Sequence, residues 1–379
     1  MVVIHDFPGG GLGKHVDYSA VSRHLDLAAY NNYPVWGGQR EPLAPHEIAF
    51  GLDYIRGLKQ QNFWITEAIM GAQGHDVTGF SPRPDQAKMW AYQSMARGCE
   101  ALFFFRYRGA TKGAEQFCYG VLDADNVKRR KFYEVQSFFR DIKSYASQLE
   151  TPIRSEVAIV YDYDSLAAFR IQRQSVLLNC EAEMKKYHKF FYDRNVPVDV
   201  IPADSDLTGY KVLILPQMIV AKPDFQQKLK AFVESGGTVV LTYRDFVKDI
   251  NNNLVLGKRL PIDFDAFAGI CVAETESLQE GQEFPLVGEG GFAGAPQPAS
   301  SSAALNAASA APCQRFIIVF LPSCRACAAL FCSFTFLDEE NAKKFHASAF
   351  QKNFSAFPLL LFPLPRHTMR TTFTREGLL

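Results

Sequence analysis

One carboxylate stands out by its place in the chain. Glu67 follows the apolar run Phe63-Trp64-Ile65 by two residues. In a (β/α)8 barrel the reactive groups project from the C-terminal ends of the strands, and a carboxylate there can act as nucleophile or acid. A loop glutamate at that position equally suits a helix cap or an ion pair. A second polar cluster follows the run Ala101–Phe105: Arg106, Arg108 and, within Gly113-Ala114-Glu115-Gln116-Phe117, Glu115. A carboxylate beside aromatic rings can hold sugar hydroxyls and ring faces. Taken alone, the cluster reads as an Arg–Glu surface pair worth roughly 0–1 kcal/mol.

The elements that must position these residues alternate between strand and helix. Pro45 starts a helix with Ile48, Leu52, Ile55 and Leu58 on one face, at spacings of four and three. Phe63–Ile65 is a short strand, and a helix follows from Pro84 with Gly98 just past its last turn. Ala101–Phe105, apolar throughout, predicts a strand buried on both faces. Arg130–Leu149 predicts one long helix with Phe132, Val135, Phe139, Ile142 and Leu149 inward. After a break near Thr151-Pro152 a second series begins. Its strands are 156–161, 198–201, 211–215 and 238–242, and its helices 181–195 and 223–235. Such alternation implies parallel strands, and the second series has the pattern of a small doubly wound, flavodoxin-like domain. The fold class expected is therefore α/β.

Several motifs, in order, carry a resemblance to a known family. They are Asn31-Asn32-Tyr33-Pro34, Phe63-Trp64-Ile65-Thr66-Glu67, Pro82-Arg83-Pro84 before Met89-Trp90-Ala91-Tyr92-Gln93, Phe105-Arg106-Tyr107-Arg108, Gly113-Ala114-Glu115-Gln116 and Gly120-Val121-Leu122-Asp123. This order resembles the β-galactosidases of glycoside hydrolase family 42. Tyr161–Ser165, Ala168–Ser175, Val196–Val200 and Lys248–Asn252 resemble that family's trimerisation domain. The resemblance covers roughly residues 1–285. It implies the C-terminal part of a TIM-barrel glycosidase domain at 1–150 and a flavodoxin-like, glutamine-amidotransferase-like trimerisation domain at 154–285. It further implies a retaining β-galactosidase, a homotrimer acting on a β-galactoside, with two carboxylates. Glu67 falls at the nucleophile, Glu115 at a glutamate that bonds galactose hydroxyls, and His75 near a sugar-stacking Trp. Asn32, Tyr33 and Arg106 join the substrate-binding set, and Cys118 stands where some members have His. The family's acid/base is a Glu preceded by Asn. Before Glu67 the sequence has only Glu41 and Glu47, neither in such a pair. The expectation is a chain that begins after the acid/base strand, with Val2–Phe7 a strand late in the barrel. The rival reading is a catalytically inert assembly module.

Composition narrows the remaining classes. The 379 residues are 47% hydrophobic and 21% charged, with 40 basic residues against 40 acidic ones. That balance is globular and lacks the basic surplus a nucleic-acid binder needs. The first residues do not read as a secretory leader, and eight scattered cysteines read as reduced thiols, so a cytoplasmic protein is expected. Phe316–Leu337 resembles a membrane span, but Arg325 near its middle argues against one, so no membrane partner is expected. No metal or cofactor is expected either. Residues 287–379 contain no Tyr or Trp and include the Ala/Ser-rich run Ala299–Ala311. They read as linker followed by an out-of-frame or disordered tail. Three weaker motifs are set aside. Gly9–Lys14 lacks the spacing and hydroxyl of a phosphate loop and reads as a flexible loop. Cys324-x-x-Cys327 is at best half a zinc site. Amidotransferase chemistry needs a Cys on a tight elbow, whereas Cys180 starts a helix without glycines and Cys271 reads as part of a strand, 269–272.

Overall fold

The computed structural model describes residues 1–149, 151–175, 178–275 and 316–319. Of the segment 287–379 only those last four belong to the description. The linker, the Cys324–Cys327 spacing and the rest of Phe316–Leu337 lie outside the described residues. The protein is α/β, with two parallel sheets. The first runs β1 (Asp6–Phe7), β2 (Ala29–Asn32), β3 (Phe63–Ile69) and β4 (Cys99–Phe105), neighbours in chain order. Between them lie α1 (Tyr18–Ser22), α2 (Pro45–Lys59) and α3 (Gln86–Met95); α4 (Arg130–Ile142) and α5 (Ala146–Leu149) follow. The second sheet comprises β5 (Val157–Tyr161), β6 (Val198–Pro202), β7 (Val212–Leu215), β8 (Thr238–Thr242) and β9 (Phe316–Val319), in the order β6-β5-β7-β8-β9. Its helices are α6 (Tyr163–Ile171), α7 (Cys180–Tyr192), α8 (Pro223–Glu234) and α9 (Asp265–Ala268).

Strand alternation explains how the cores divide. On β5, Val157, Ile159 and Tyr161 join the core shared with the first sheet, while Ala158 and Val160 join a core confined to the second. A strand fully buried on both faces must be apolar throughout, as Val-Ala-Ile-Val-Tyr is.

α2 is the joint between the sheets. Pro45 opens it, and Glu47 Oε2 accepts from Ala44 N at 3.0 Å, satisfying one free backbone donor. Ile48, Leu52, Ile55 and Leu58 are buried as their spacing predicts. The helix is also buried on its other side, against β6 and α7. A methyl group on Gly57 would lie 2.0 Å from Val200 O, so only glycine lets the helix lie this close to β6. β6 is the edge of the second sheet, and a helix laid over an edge shields its unpaired side from other chains. Asp53 and Arg56, 0% and 3% exposed, also lie on this side. Arg56 Nη1 donates to Asp53 Oδ1 at 2.6 Å and Nη2 to Asp199 Oδ1 at 2.5 Å. His188 Nε2 meets Asp53 Oδ2 at 2.7 Å, Arg97 pairs with the same oxygen, and Tyr210 Oη donates to Asp199 Oδ2 at 2.8 Å. Burial pushes the Asp53 carboxyl up, but Arg56, the bond from His188 and Arg97 outweigh it and hold it below the usual range.

Five expectations are corrected. β4 is not buried on both faces: Glu100 is exposed and Phe103 is 54% exposed, on a strand whose β3 side alone is paired among the described residues. The helix over 130–149 is two helices, broken at Lys143–Tyr145. Phe132, Val135, Ile142 and Leu149 pack against the core as read, but the fully buried ring is Phe138, and its neighbour Phe139 is 41% exposed. Residues 269–272 form no strand. Only Asp6 and Phe7 of Val2–Phe7 pair. The Gly9–Lys14 loop is tied down: it holds a 3-10 turn at Gly11–Lys14, and Arg170 Nη2 donates to Leu12 O at 2.6 Å.

Among the described residues no helix is long and apolar enough to cross a membrane.

Candidate active site

β3 carries the central residue, and it does so through a bulge. The strand does not stop at Ile65 but runs to Ile69, so Glu67 lies inside it. The register slips between Ile65 and Ala68 opposite β4, and between Tyr30 and Asn31 opposite β2. The irregularity therefore sits on Thr66-Glu67. Such a bulge turns a side chain out of strict alternation, and bulges recur beside active sites. The short strand expected over Phe63–Ile65 thus continues, with pairing resumed beyond Thr66-Glu67 through Ala68 and Ile69.

Glu67 is partly buried, and Tyr33 Oη donates to its Oε2 at 2.6 Å. Burial pushes the Glu67 carboxyl up. The Tyr33 bond pulls it down, Asp6 and Glu115 push it up, and Arg106 opposes them; the net direction is upward. Burial, together with the bond to Glu67, raises the Tyr33 phenol above its ordinary range, so it remains a donor.

β4 delivers the second carboxylate. Arg106, directly after the strand, pairs with Glu115 Oε2. Glu115 Oε1 lies 4.0 Å from His75 Nε2, and both side chains are about half exposed. Trp36 stands edge-on to His75 at 5.5 Å and to Tyr33 at 5.0 Å. The loop carrying Glu115 returns to Arg106 through Gly120, where a methyl group would lie 2.2 Å from Arg106 O. Val121 N then donates to that same oxygen at 2.7 Å.

The sequence thus named Glu67, Tyr33, Arg106, Glu115 and His75, and the fold brings these five together. Asn32 stands apart. It is buried, and its amide donates to Ser94 Oγ at 3.2 Å, bracing β2 against α3. Arg108 is exposed and pairs through its backbone with Leu122. Two residues were missed. Trp36 carries a signal, an aromatic two positions past Asn-Tyr-Pro. Asp6 carries none, because its contact with Thr66 spans sixty residues. Cys118 is buried, with Sγ 3.8 Å from Gly74 O. Cys180 begins α7 in a buried position, and burial pushes its thiol up to about 12, which leaves little thiolate for nucleophilic chemistry. Among the described residues no group of three or more His, Cys, Asp or Glu is placed to hold a metal ion.

The raised Glu67 carboxyl has a consequence for stability. A group that binds its proton more tightly in the fold stabilises it below the unfolded pKa and loses that contribution as pH rises through the folded value. Glu67→Gln is therefore expected to gain stability relative to the parent as pH rises from about 4 through the raised Glu67 value. Urea midpoints at several pH values check this; a difference independent of pH would contradict it.

Residues 1–145 match the family model described as Beta-galactosidase, and residues 155–301 match the one described as Beta-galactosidase trimerisation domain. The β-galactosidase BgaA of Clostridium cellulovorans is 35% identical over 257 residues, which are 67% of this chain and 39% of BgaA. GanA, a β-galactosidase of Bacillus subtilis, is 29% identical over 268 residues, 69% of this chain and 40% of GanA. The crystal structure of β-galactosidase from Bacillus circulans sp. alkalophilus superposes with a TM-score of 0.68 at 27% identity, over 74% of this chain and 41% of that one. A catalytic mutant of Gan42B, a family 42 β-galactosidase of G. stearothermophilus, gives 0.67 at 26% identity, over 74% and 42%. The chain spans about two-fifths of the length of these relatives.

Proposed function

The chain belongs to glycoside hydrolase family 42, the β-galactosidases, and from that premise we propose that it carries the nucleophile side of a retaining β-galactosidase site. The observation that carries this reading is Glu67, turned out by a bulge near the C-terminal end of β3 and held by Tyr33 at 2.6 Å. Ionised, it attacks the anomeric carbon of a terminal β-galactoside. The Oε–C1 bond forms, the bond to the leaving oxygen breaks, and water later releases galactose from the ester with net retention. Glu115, fixed by Arg106, accepts galactose hydroxyls, and His75 and Trp36 wall the sugar subsite.

The leaving oxygen needs a proton, and these residues supply no suitable donor. Glu115 is paired with a guanidinium, Asp6 is engaged by Thr66, and Glu47 caps α2. We therefore propose that the acid/base part of the site is not among the described residues. Four parallel strands in chain order with helices between them support assigning residues 1–150 to part of a (β/α)8 barrel. Within residues 154–285 the order β6-β5-β7-β8 places the second strand outside the first and the third on its other side, which supports a flavodoxin-like reading of that segment. Free thiols at Cys99, Cys118, Cys180 and Cys271 support a cytoplasmic setting.

The test compares leaving groups. A dinitrophenyl β-galactoside departs without a proton and is expected to be consumed. An alkyl β-galactoside should fall behind a complete family member by the 10²–10⁴-fold that general acid catalysis contributes, roughly. Native-like turnover of the alkyl substrate, or equal turnover of the matching glucoside, would refute the reading.

A second reading, assembly, is favoured by the match of residues 155–301 to the trimerisation domain. It expects a homotrimer through residues 154–285, with a head-to-tail interface involving the exposed stretch Ile171–Gln174. Sedimentation as a monomer at micromolar concentration would refute it.

A further inference from the structure

We propose that Asp6 is a positioning residue for Glu67: its carboxylate, bonded to Thr66, fixes the bulge that aims the nucleophile and places a second negative charge beside it. The proposal rests on the reading of Glu67 as nucleophile.

The geometry comes from the register of three strands. Asp6 pairs with Ala29, and Ala29 with Trp64, so Asp6, Ala29 and Trp64 form one row across the first sheet. Thr66 lies two residues beyond Trp64, on the same face by strand alternation. Ala29 is small, and over it Thr66 Oγ1 reaches Asp6 Oδ1 in a charge-assisted hydrogen bond. The tether thus joins the first and third strands above the second, and it lands on the residue adjacent to Glu67. There the β3 ladder slips on both sides. A bulge interrupts the ladder, so a side-chain anchor beside it narrows the directions its residues can take.

The charge has its own effect. The groups that face Glu67 are Asp6 from β1, Tyr33 from the segment after β2, and Arg106 and Glu115 from the segment after β4. Two of these are anions, and Asp6 raises the Glu67 carboxyl more than Glu115 does. A carboxylate held toward protonation is a stronger base once ionised, and a better nucleophile, at the cost of an acid limb at higher pH.

Two variants separate the tether from the charge. Asp6→Asn keeps an oxygen that accepts from Thr66 but removes the charge. Thr66→Val removes the tether but keeps the charge. The readouts use the full chain and need no turnover: the 13C carboxyl titration of Glu67, assigned through Glu67→Gln, and hydrogen exchange of the Glu67 and Ala68 amides. In Asp6→Asn the Glu67 midpoint is expected to fall by about 0.5–1.5 units, with exchange unchanged. In Thr66→Val the midpoint should stay within about 0.3 units of the parent, while the two amides exchange about tenfold faster or more. An unchanged midpoint in Asp6→Asn, or unchanged exchange in Thr66→Val, overturns the proposal; Asp6 would then be an ordinary strut. Whether Glu67 is the nucleophile is decided separately, by covalent labelling, so the two claims fail independently.

Discussion

Glu67→Ala is expected to lower turnover of dinitrophenyl β-galactoside by about 10³-fold or more, the scale on which covalent catalysis collapses without its nucleophile. The reason lies in the site. Tyr33, Arg106 and Glu115 remain to bind the sugar, so the loss falls on kcat rather than on KM. Alanine also leaves a space beside C1. Azide can enter it, form the N–C1 bond as the aryloxide leaves, and give α-galactosyl azide with inversion. Rescue by azide, with that product, is the signature expected. Glu115→Ala should behave differently. It frees Arg106 and removes a hydroxyl partner, so KM rises and azide has no effect. Steady-state kinetics with product analysis distinguish the two, and rescue of Glu115→Ala in place of Glu67→Ala would exchange their roles.

The second large effect lies away from the site. Asp53→Ala is expected to cost about 3–5 kcal/mol, because removing one partner of a buried ion pair strands the others. Arg56 would keep Asp199 and the partly exposed Arg97 could turn to water, but His188 Nε2, fully buried, would lose its acceptor with no access to water. Against a typical total of about 5–15 kcal/mol, such a loss removes much of the stability. Asp204→Ala, which breaks the exposed Arg23–Asp204 pair, should cost under about 1 kcal/mol. Urea unfolding of the three proteins checks the contrast; equal midpoints would contradict it. The pH dependence follows in sign. Asp53 sits below the usual carboxylate range in the fold, so its contribution is present above the unfolded pKa of roughly 4 and is lost as pH falls through the folded value. Asp53→Asn should therefore respond less to acid than the parent.

These two residues also mark what was legible in the sequence. The inward stripe of α2 follows from apolar spacing, and it is buried as read. Asp53 and Arg56 sit between those positions, and nothing local says that β6 and α7 will cover them. That cover depends on a contact across some 140 residues and on Gly57, whose missing side chain gives no periodic signal. Glu67 was legible because strand-end carboxylates are a recurring place for chemistry. The bulge that aims it was not, because a register slip is a property of three strands and not of one. Asp6 shows the same limit: only the row Asp6–Ala29–Trp64 brings it to Thr66. The exposed Phe103 shows the converse. An apolar run implies burial, but which of its faces is covered depends on what lies across the sheet.

The central claim is that Glu67 forms the covalent bond to galactose. It is tested most directly by incubating the chain with dinitrophenyl 2-deoxy-2-fluoro-β-galactoside, whose fluorine slows release of the ester and whose leaving group needs no acid. Proteolysis and mass spectrometry then locate the added sugar. The account predicts a single labelled peptide with the sugar on Glu67, and no label in Glu67→Gln. Label on Glu115 or Asp6, with Glu67 unmodified, would contradict it.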